Sequence, residues 1–247
     1  MNQKIKYELS MAYHENTKKS DTNYSFNSKV VYKVYPNTKY YDIEKNTLGS
    51  LLPFDDTFLK TLLHRKSTRS FSNKGIGLAD ISKLLSLSCG LRGNYGEMIF
   101  RTYPSAGARF PIEIYLVILN SLDMDLGLYH YNIIENRIEL VRNGDFSKEV
   151  IDFYGQQQIE TEYPCLILCS ANFDRTMSKY GERGYRYVLI DLGHISQNFY
   201  LVSTYLGLGV VAFGVGSTSD DTMDSFLRLN SNTERFLYGL AVGYPQI

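Results

Sequence analysis

Helices layered on one mixed β-sheet, an α+β class, are what this 247-residue sequence predicts. The first observation is Pro111-Ile-Glu-Ile-Tyr-Leu-Val-Ile-Leu119, a nearly unbroken apolar run that suits a central strand buried on both faces. The second is a helical stripe in which Val188, Leu192, Ile195, Phe199, Val202 and Leu206 recur at alternating steps of four and three. Leu189, Leu201, Tyr205 and Leu208 give that helix a second apolar side, which places it in the centre of a domain. The third is that helix and strand patterns mix irregularly, without strict βα alternation.

Taken in order, residues 1–50 are polar and rich in Tyr, Asn and Lys, and read as an extended arm with one short helix near Ile5–Tyr13. A compact domain, residues 51–247, follows. Asp55-Asp56-Thr57 opens a helix through Leu59, Leu62 and Leu63 that ends at Arg65-Lys66-Ser67, acids first and cations last, as the helix dipole favours. Ile81, Leu84, Leu85 and Ser88 line one face of a helix over 78–89, stopped by Gly90. Gly127–Tyr131 and Arg137–Val141 flank a short turn and predict a hairpin. Tyr163–Ser170 reads as a second buried strand, Val210–Phe213 as a short one, Asp220–Leu227 as a helix and Leu237–Val242 as the last strand.

Composition narrows the function. Twenty-six basic residues balance 26 acidic ones, so the electrostatic footprint of a nucleic-acid binder is missing. The start lacks the apolar run of a signal peptide, and no stretch of eighteen apolar residues could span a bilayer. Cys89, Cys165 and Cys169 lie in apolar segments; the last two share a strand face too far apart for a disulfide, so reduced thiols and a cytoplasmic location are expected. The four histidines are scattered without metal-ligand spacing, so no metal site is expected, and His194 reads as a core histidine. Tyrosine occurs 21 times and tryptophan never, which is compatible with a large interface.

Four patches carry chemistry. Arg65, Lys66, Ser67 and Arg69, just past a helix end, could grip a phosphate; on these residues alone a solvated basic turn is the plainer reading. Pro104-Ser105-Ala106-Gly107-Ala108-Arg109 offers small side chains that let backbone approach a flat ligand, or forms an ordinary loop before the strand. Lys179-Tyr180 sets an ammonium beside a phenol, which favours the phenolate and general-base use, or is a charged loop packed on a helix start. The glycines from Gly207 to Gly216 lack both the dinucleotide-binding and the P-loop spacing, and Gly207 and Gly209 read as a helix cap.

Together, Pro104–Arg109 with the following Pro111-Ile-Glu113, and Lys179-Tyr180 followed by Arg183-Gly-Tyr-Arg186, resemble the SagB-type dehydrogenases of the nitroreductase superfamily. The resemblance covers roughly residues 58–247, and His14-Glu-Asn-Thr-Lys18 also resembles the segment that opens many members. It implies a nitroreductase-like fold, an intertwined homodimer and FMN at the subunit interface. It assigns the FMN phosphate to Arg65, Lys66, Ser67 and Arg69, with Lys66 where arginine is usual. The flavin ring falls to Pro104, Ser105, Ala106, Gly107 and Arg109, with Gly214 and Gly216 nearby, although Val215-Gly216-Ser-Thr departs from the family's run. Lys179 and Tyr180 become the catalytic pair. The implied activity is oxidation of thiazoline or oxazoline rings in a ribosomally made peptide, with a cyclodehydratase complex as a candidate partner. Two alternatives stand beside it: an NAD(P)H-dependent flavin reductase of nitro, quinone or dehydroamino-acid substrates, and a non-catalytic subunit that docks a partner through its arm.

Overall fold

The computed structural model describes residues 7–17, 57–96, 98–151, 153, 163–213 and 219–246. Helices α1 (Glu8–Thr17), α2 (Thr57–His64) and α3 (Leu78–Cys89) come first, then a hairpin of β1 (Leu91–Tyr95) and β2 (Met98–Arg101). Strands β3 (Ile112–Ile118), β4 (Gly127–Asn132) and β5 (Arg137–Asn143) follow, with α4 (Ser147–Ile151) and β6 (Cys165–Asn172). The chain closes with α5 (Phe173–Tyr180), α6 (Gly184–Tyr205), β7 (Gly209–Phe213), α7 (Asp220–Leu227) and β8 (Glu234–Gly243).

The main sheet has the order β5-β4-β3-β6-β8-β7. All its ladders are antiparallel, so the sheet differs from the mixed one expected. The physical reason is connectivity: short turns join β3 to β4 and β4 to β5, and α6 joins strands that are not neighbours, so no crossover sets two paired strands parallel. Strands β3 and β6 lie in the middle and are covered on both faces, as their unbroken apolar runs require. Cys165, Ile167 and Cys169 face α3 and α6, while Leu166 and Leu168 face Phe146, Phe226 and Phe236. Burial pushes the Cys89 thiol up to about 12, and raises Cys165 and Cys169 as well, so all three stay protonated packing groups.

The stripe of α6 is buried where expected, at Val188, Leu192, Ile195 and Phe199. Of its expected second side, Leu189 and Tyr205 are exposed, Leu201 is partly covered, and Leu208, just past the helix, is buried. Leu189 and Ile190 are 39% and 51% exposed, and His194 beside them is exposed rather than a core histidine. Phe58, Leu62 and Leu63 on the neighbouring α2 are exposed too. Among the described residues no helix is long and apolar enough to cross a membrane.

Candidate active site

The stretch Pro104–Phe110 folds into a 3-10 turn over Ala106–Ala108 with an unusual backbone. Gly107, Ala108 and Phe110 all have positive φ, at 61°, 53° and 45°. Only glycine enters that region freely, so the two other residues are held there by their surroundings. One hold comes from Asp191 on α6, which accepts a short bond from Ser105 Oγ and a 3.4 Å bond from the Ala106 amide. Ser105 Oγ in turn accepts from the Phe110 amide at 2.8 Å. Asp191 is 2% exposed; burial raises its carboxyl above the usual range, and the Ser105 and Ala106 bonds pull the other way.

The second hold comes from α5 and uses two crossed arginines. Arg109 Nε donates to the Arg175 carbonyl at 2.5 Å, and Arg175 Nη1 donates to the Phe110 carbonyl at 3.1 Å. Arg175 also pairs with Glu113 on β3, whose other oxygen takes a 2.8 Å bond from His130 Nε2. Burial works to raise Glu113, but His130 and Arg175 outweigh it and hold the carboxyl below its usual range. The bond to Glu113 lifts His130 above the ordinary histidine value despite burial. Arg109 Nε therefore fastens the loop to α5.

Arg175 and Lys179 are one helical turn apart, so the helix that is locked to the loop carries the Lys179-Tyr180 pair at its end. A Cβ built on Gly107 would stand 2.6 Å from Tyr180 Oη and 2.8 Å from Lys179 Nζ. Both polar ends thus converge on the one position of the loop that has no side chain. Beside them opens a cavity of about 580 Å³ lined by Arg92, Arg101, Pro104, Ser105, Gly107 and Lys179. The two patches expected from the sequence form one site.

The basic strip lies elsewhere. Arg65 sits 5.5 Å over the Tyr200 ring, and Ser67 Oγ is 3.4 Å from the Tyr200 hydroxyl, which accepts the Ala212 amide at 2.8 Å. Lys66 lines a cavity of about 310 Å³ with His64, Thr68, Thr204 and Gly207, and Arg69 is exposed. Asp191 holds the loop and Tyr200 the strip; nine residues apart, they point to opposite sides of α6 and are separated by about 13 Å of rise. One chain does not gather both patches on one side. Gly214 and Gly216 lie outside the described residues.

Sequence reasoning missed Asp191, Arg175 and His130. Asp191 left a signal, a lone carboxylate between Val188, Leu192 and Ile195 on a buried stripe, where an acid persists only with donors to meet it. Arg175 and His130 left none, since each matters through a contact more than sixty or seventeen residues away.

Comparison with known proteins agrees with this architecture. The nitroreductase family profile matches residues 62–244. A protein of Methanocaldococcus jannaschii named as a nitroreductase, MJ1384, is 32% identical over 168 residues, 68% of this chain and 82% of its own. The microcin B17-processing protein McbC of Escherichia coli is 32% identical over 114 residues, and the match spans 44% of this chain and 42% of McbC. A chain in the structure of the E. coli microcin synthetase McbBCD complex, with truncated pro-MccB17 bound, shares the fold. Its TM-score is 0.68 at 21% identity, over 96% of this chain and 87% of that one. The chain belongs to the nitroreductase family, whose members are flavin-dependent oxidoreductases.

Proposed function

We propose that this chain is an FMN-dependent dehydrogenase that oxidises thiazoline or oxazoline rings to thiazoles or oxazoles in a ribosomally made peptide. The observation that carries the reading is the convergence of Lys179 Nζ and Tyr180 Oη over the bare Gly107. The residues fit a flavin: the small residues Ser105, Gly107 and Ala108 line the cavity of about 580 Å³ beside the pair, which leaves room for a flat ring. Arg65, Lys66, Ser67 and Arg69 offer charged and hydroxyl donors to a phosphate. FMN, when bound, supplies the two-electron acceptor. Tyr180 Oη takes the proton from the ring Cα, and Lys179 Nζ keeps a positive charge beside the receiving oxygen. Asp191 and Arg175 act beforehand, keeping the floor under the pair in one shape.

Two further parts of the reading rest on separate observations. The outward apolar side of α6, with Phe58 and Leu62 on α2, supports a homodimer. A second copy would bring a basic strip to each Gly107 floor that a single chain leaves on the far side of α6. The names of McbC, a microcin B17-processing protein, and of the McbBCD complex with its bound pro-peptide support a peptide substrate and a partner complex, which the resemblance implies is a cyclodehydratase. Residues 51–247 form the flavin domain in this reading, with residues 1–50 as its arm.

Tyr180→Phe tests the mechanism. Flavin content should match that of the unaltered protein while turnover of an azoline peptide falls by about 10²-fold or more, the ordinary worth of a positioned acid-base group. Retained turnover would remove Tyr180 as the base.

A further inference from the structure

Helix α1 touches the segment around α5 at two places, the start of α5 and the turn just past its end. At one end, the Glu182 carboxylate accepts the Leu9 amide at 3.2 Å and the Ser10 amide at 2.8 Å. Ser10 Oγ adds a short bond to the same carboxylate and a 3.1 Å bond to the Glu182 carbonyl. These amides belong to the first turn of α1 and have no partner within the helix, so Glu182 does the work of an N-cap from 172 residues away. At the other end, His14 Nδ1 lies 3.1 Å from the Tyr185 hydroxyl, and its ring meets Phe173 edge-on at 5.7 Å. Phe173 opens α5 and stacks on Tyr185 at 5.5 Å.

The geometry gives these contacts a purpose beyond packing. Glu182 is two residues past Tyr180, in a 3-10 turn bounded by Gly181 and Gly184. Glycine on both sides leaves the backbone there little stiffness of its own. The side chain of Glu182 ties that turn to α1. Ser10 and His14 are one helical turn apart, so a single rigid rod grips α5 at its start and just past its end.

We propose that α1 is a splint for the catalytic pair, with Ser10, His14 and Glu182 as positioning residues that hold Lys179 and Tyr180 over Gly107. The inference rests on the reading of Lys179-Tyr180 as the reacting pair. It assigns a task to the His14-Glu-Asn-Thr segment, which the flavin chemistry leaves unexplained.

The test uses the full chain with Ser10→Ala, Glu182→Ala, the double variant and Glu182→Gln, whose amide oxygen still accepts. Hydrogen–deuterium exchange is measured over 8–17, over 173–185 and over β6, beside flavin content and steady-state kinetics on an azoline peptide. In Glu182→Ala, exchange should rise together over 8–17 and 173–185 and stay constant in β6. The kcat should drop about tenfold or more, as for a displaced catalytic group, with KM and flavin content held. Glu182→Gln should recover most of the loss, and the double variant should be no worse than Glu182→Ala, because both substitutions break one contact. Ser10→Ala, the milder change, gives the same pattern where Glu182→Ala fails to fold. Loosening of 8–17 with 173–185 unchanged would overturn the splint, as would coupled loosening at full kcat. A wild-type protein inactive on azoline peptides refutes the proposed function instead, and the exchange data then judge the splint alone.

Discussion

Substituting alanine for Gly107 is expected to damage turnover far more than stability, and both effects follow from the local geometry. The backbone there has φ 61° and ψ 26°, a left-handed conformation that costs an L side chain about 1 kcal/mol. In a chain of this size, that loss lowers Tm by about 2–4 °C. The second effect is steric. The new methyl would stand 2.6 Å from Tyr180 Oη and 2.8 Å from Lys179 Nζ. Both atoms end flexible side chains, so they yield before the backbone does. Bringing Tyr180 Oη back to ordinary contact at 3.4 Å takes a retreat of about 0.8 Å. Displacing a catalytic group by that much lowers kcat by about 10²-fold. Thermal melts together with azoline-peptide kinetics on purified Gly107→Ala separate the two. A variant that melts a few degrees lower yet turns over at the wild-type rate would refute the claim that the pair works over this position.

Three other substitutions probe the same architecture from different sides. His130→Asn should cost stability at pH 6 and little at pH 9: a histidine raised by Glu113 contributes below its unfolded value near 6.5, and the contribution is lost as pH rises through the higher folded value. Equal losses at both pH values would show that charge on His130 is not what supports Glu113. Ile190→Glu places a charge on the outward side of α6 and should convert the proposed dimer to monomer with loss of bound flavin, read by light scattering and absorbance; a flavin-replete dimer would exclude that face as the interface. Asp191→Ala leaves the Ser105 hydroxyl and Ala106 amide without their acceptor and should lower stability by about 1–3 kcal/mol, measured by urea unfolding. A wild-type midpoint would mean the loop holds its shape without α6.

What could be read beforehand followed from how residues signal burial. Helix α3 and helix α7 begin and end where their periodicity places them, and β3 emerges from its apolar run within a residue at each end. The β1–β2 hairpin was missed because β1 is exposed throughout and carries no alternation to detect. Helix α5 was missed for a different reason: it is eight residues long, and its buried Phe173, Thr176 and Met177 are too few to make a stripe. That miss concealed the geometry of the site, since Lys179 and Tyr180 read as a charged loop and instead end a helix. The outward side of α6 shows a limit of another kind. An apolar face is visible in sequence, but whether the chain's own core or another surface covers it is not.

The positive φ angles of Ala108 and Phe110 bear on how this protein could be made sturdier. Each holds an L residue where it sits at a cost of about 1–3 kcal/mol; glycine would remove that cost at the half-buried Ala108, whereas at Phe110, a buried ring packed on Tyr103, the lost packing outweighs the relief. An easy stabilising substitution therefore falls on Ala108, whose discomfort helps give the loop its shape, and a screen for heat resistance would select a slacker loop. Bonds from Asp191 on one side and Arg175 on the other keep the loop bent against its own preference. A sheet and two helices are, in this sense, the frame on which one short turn is kept under tension.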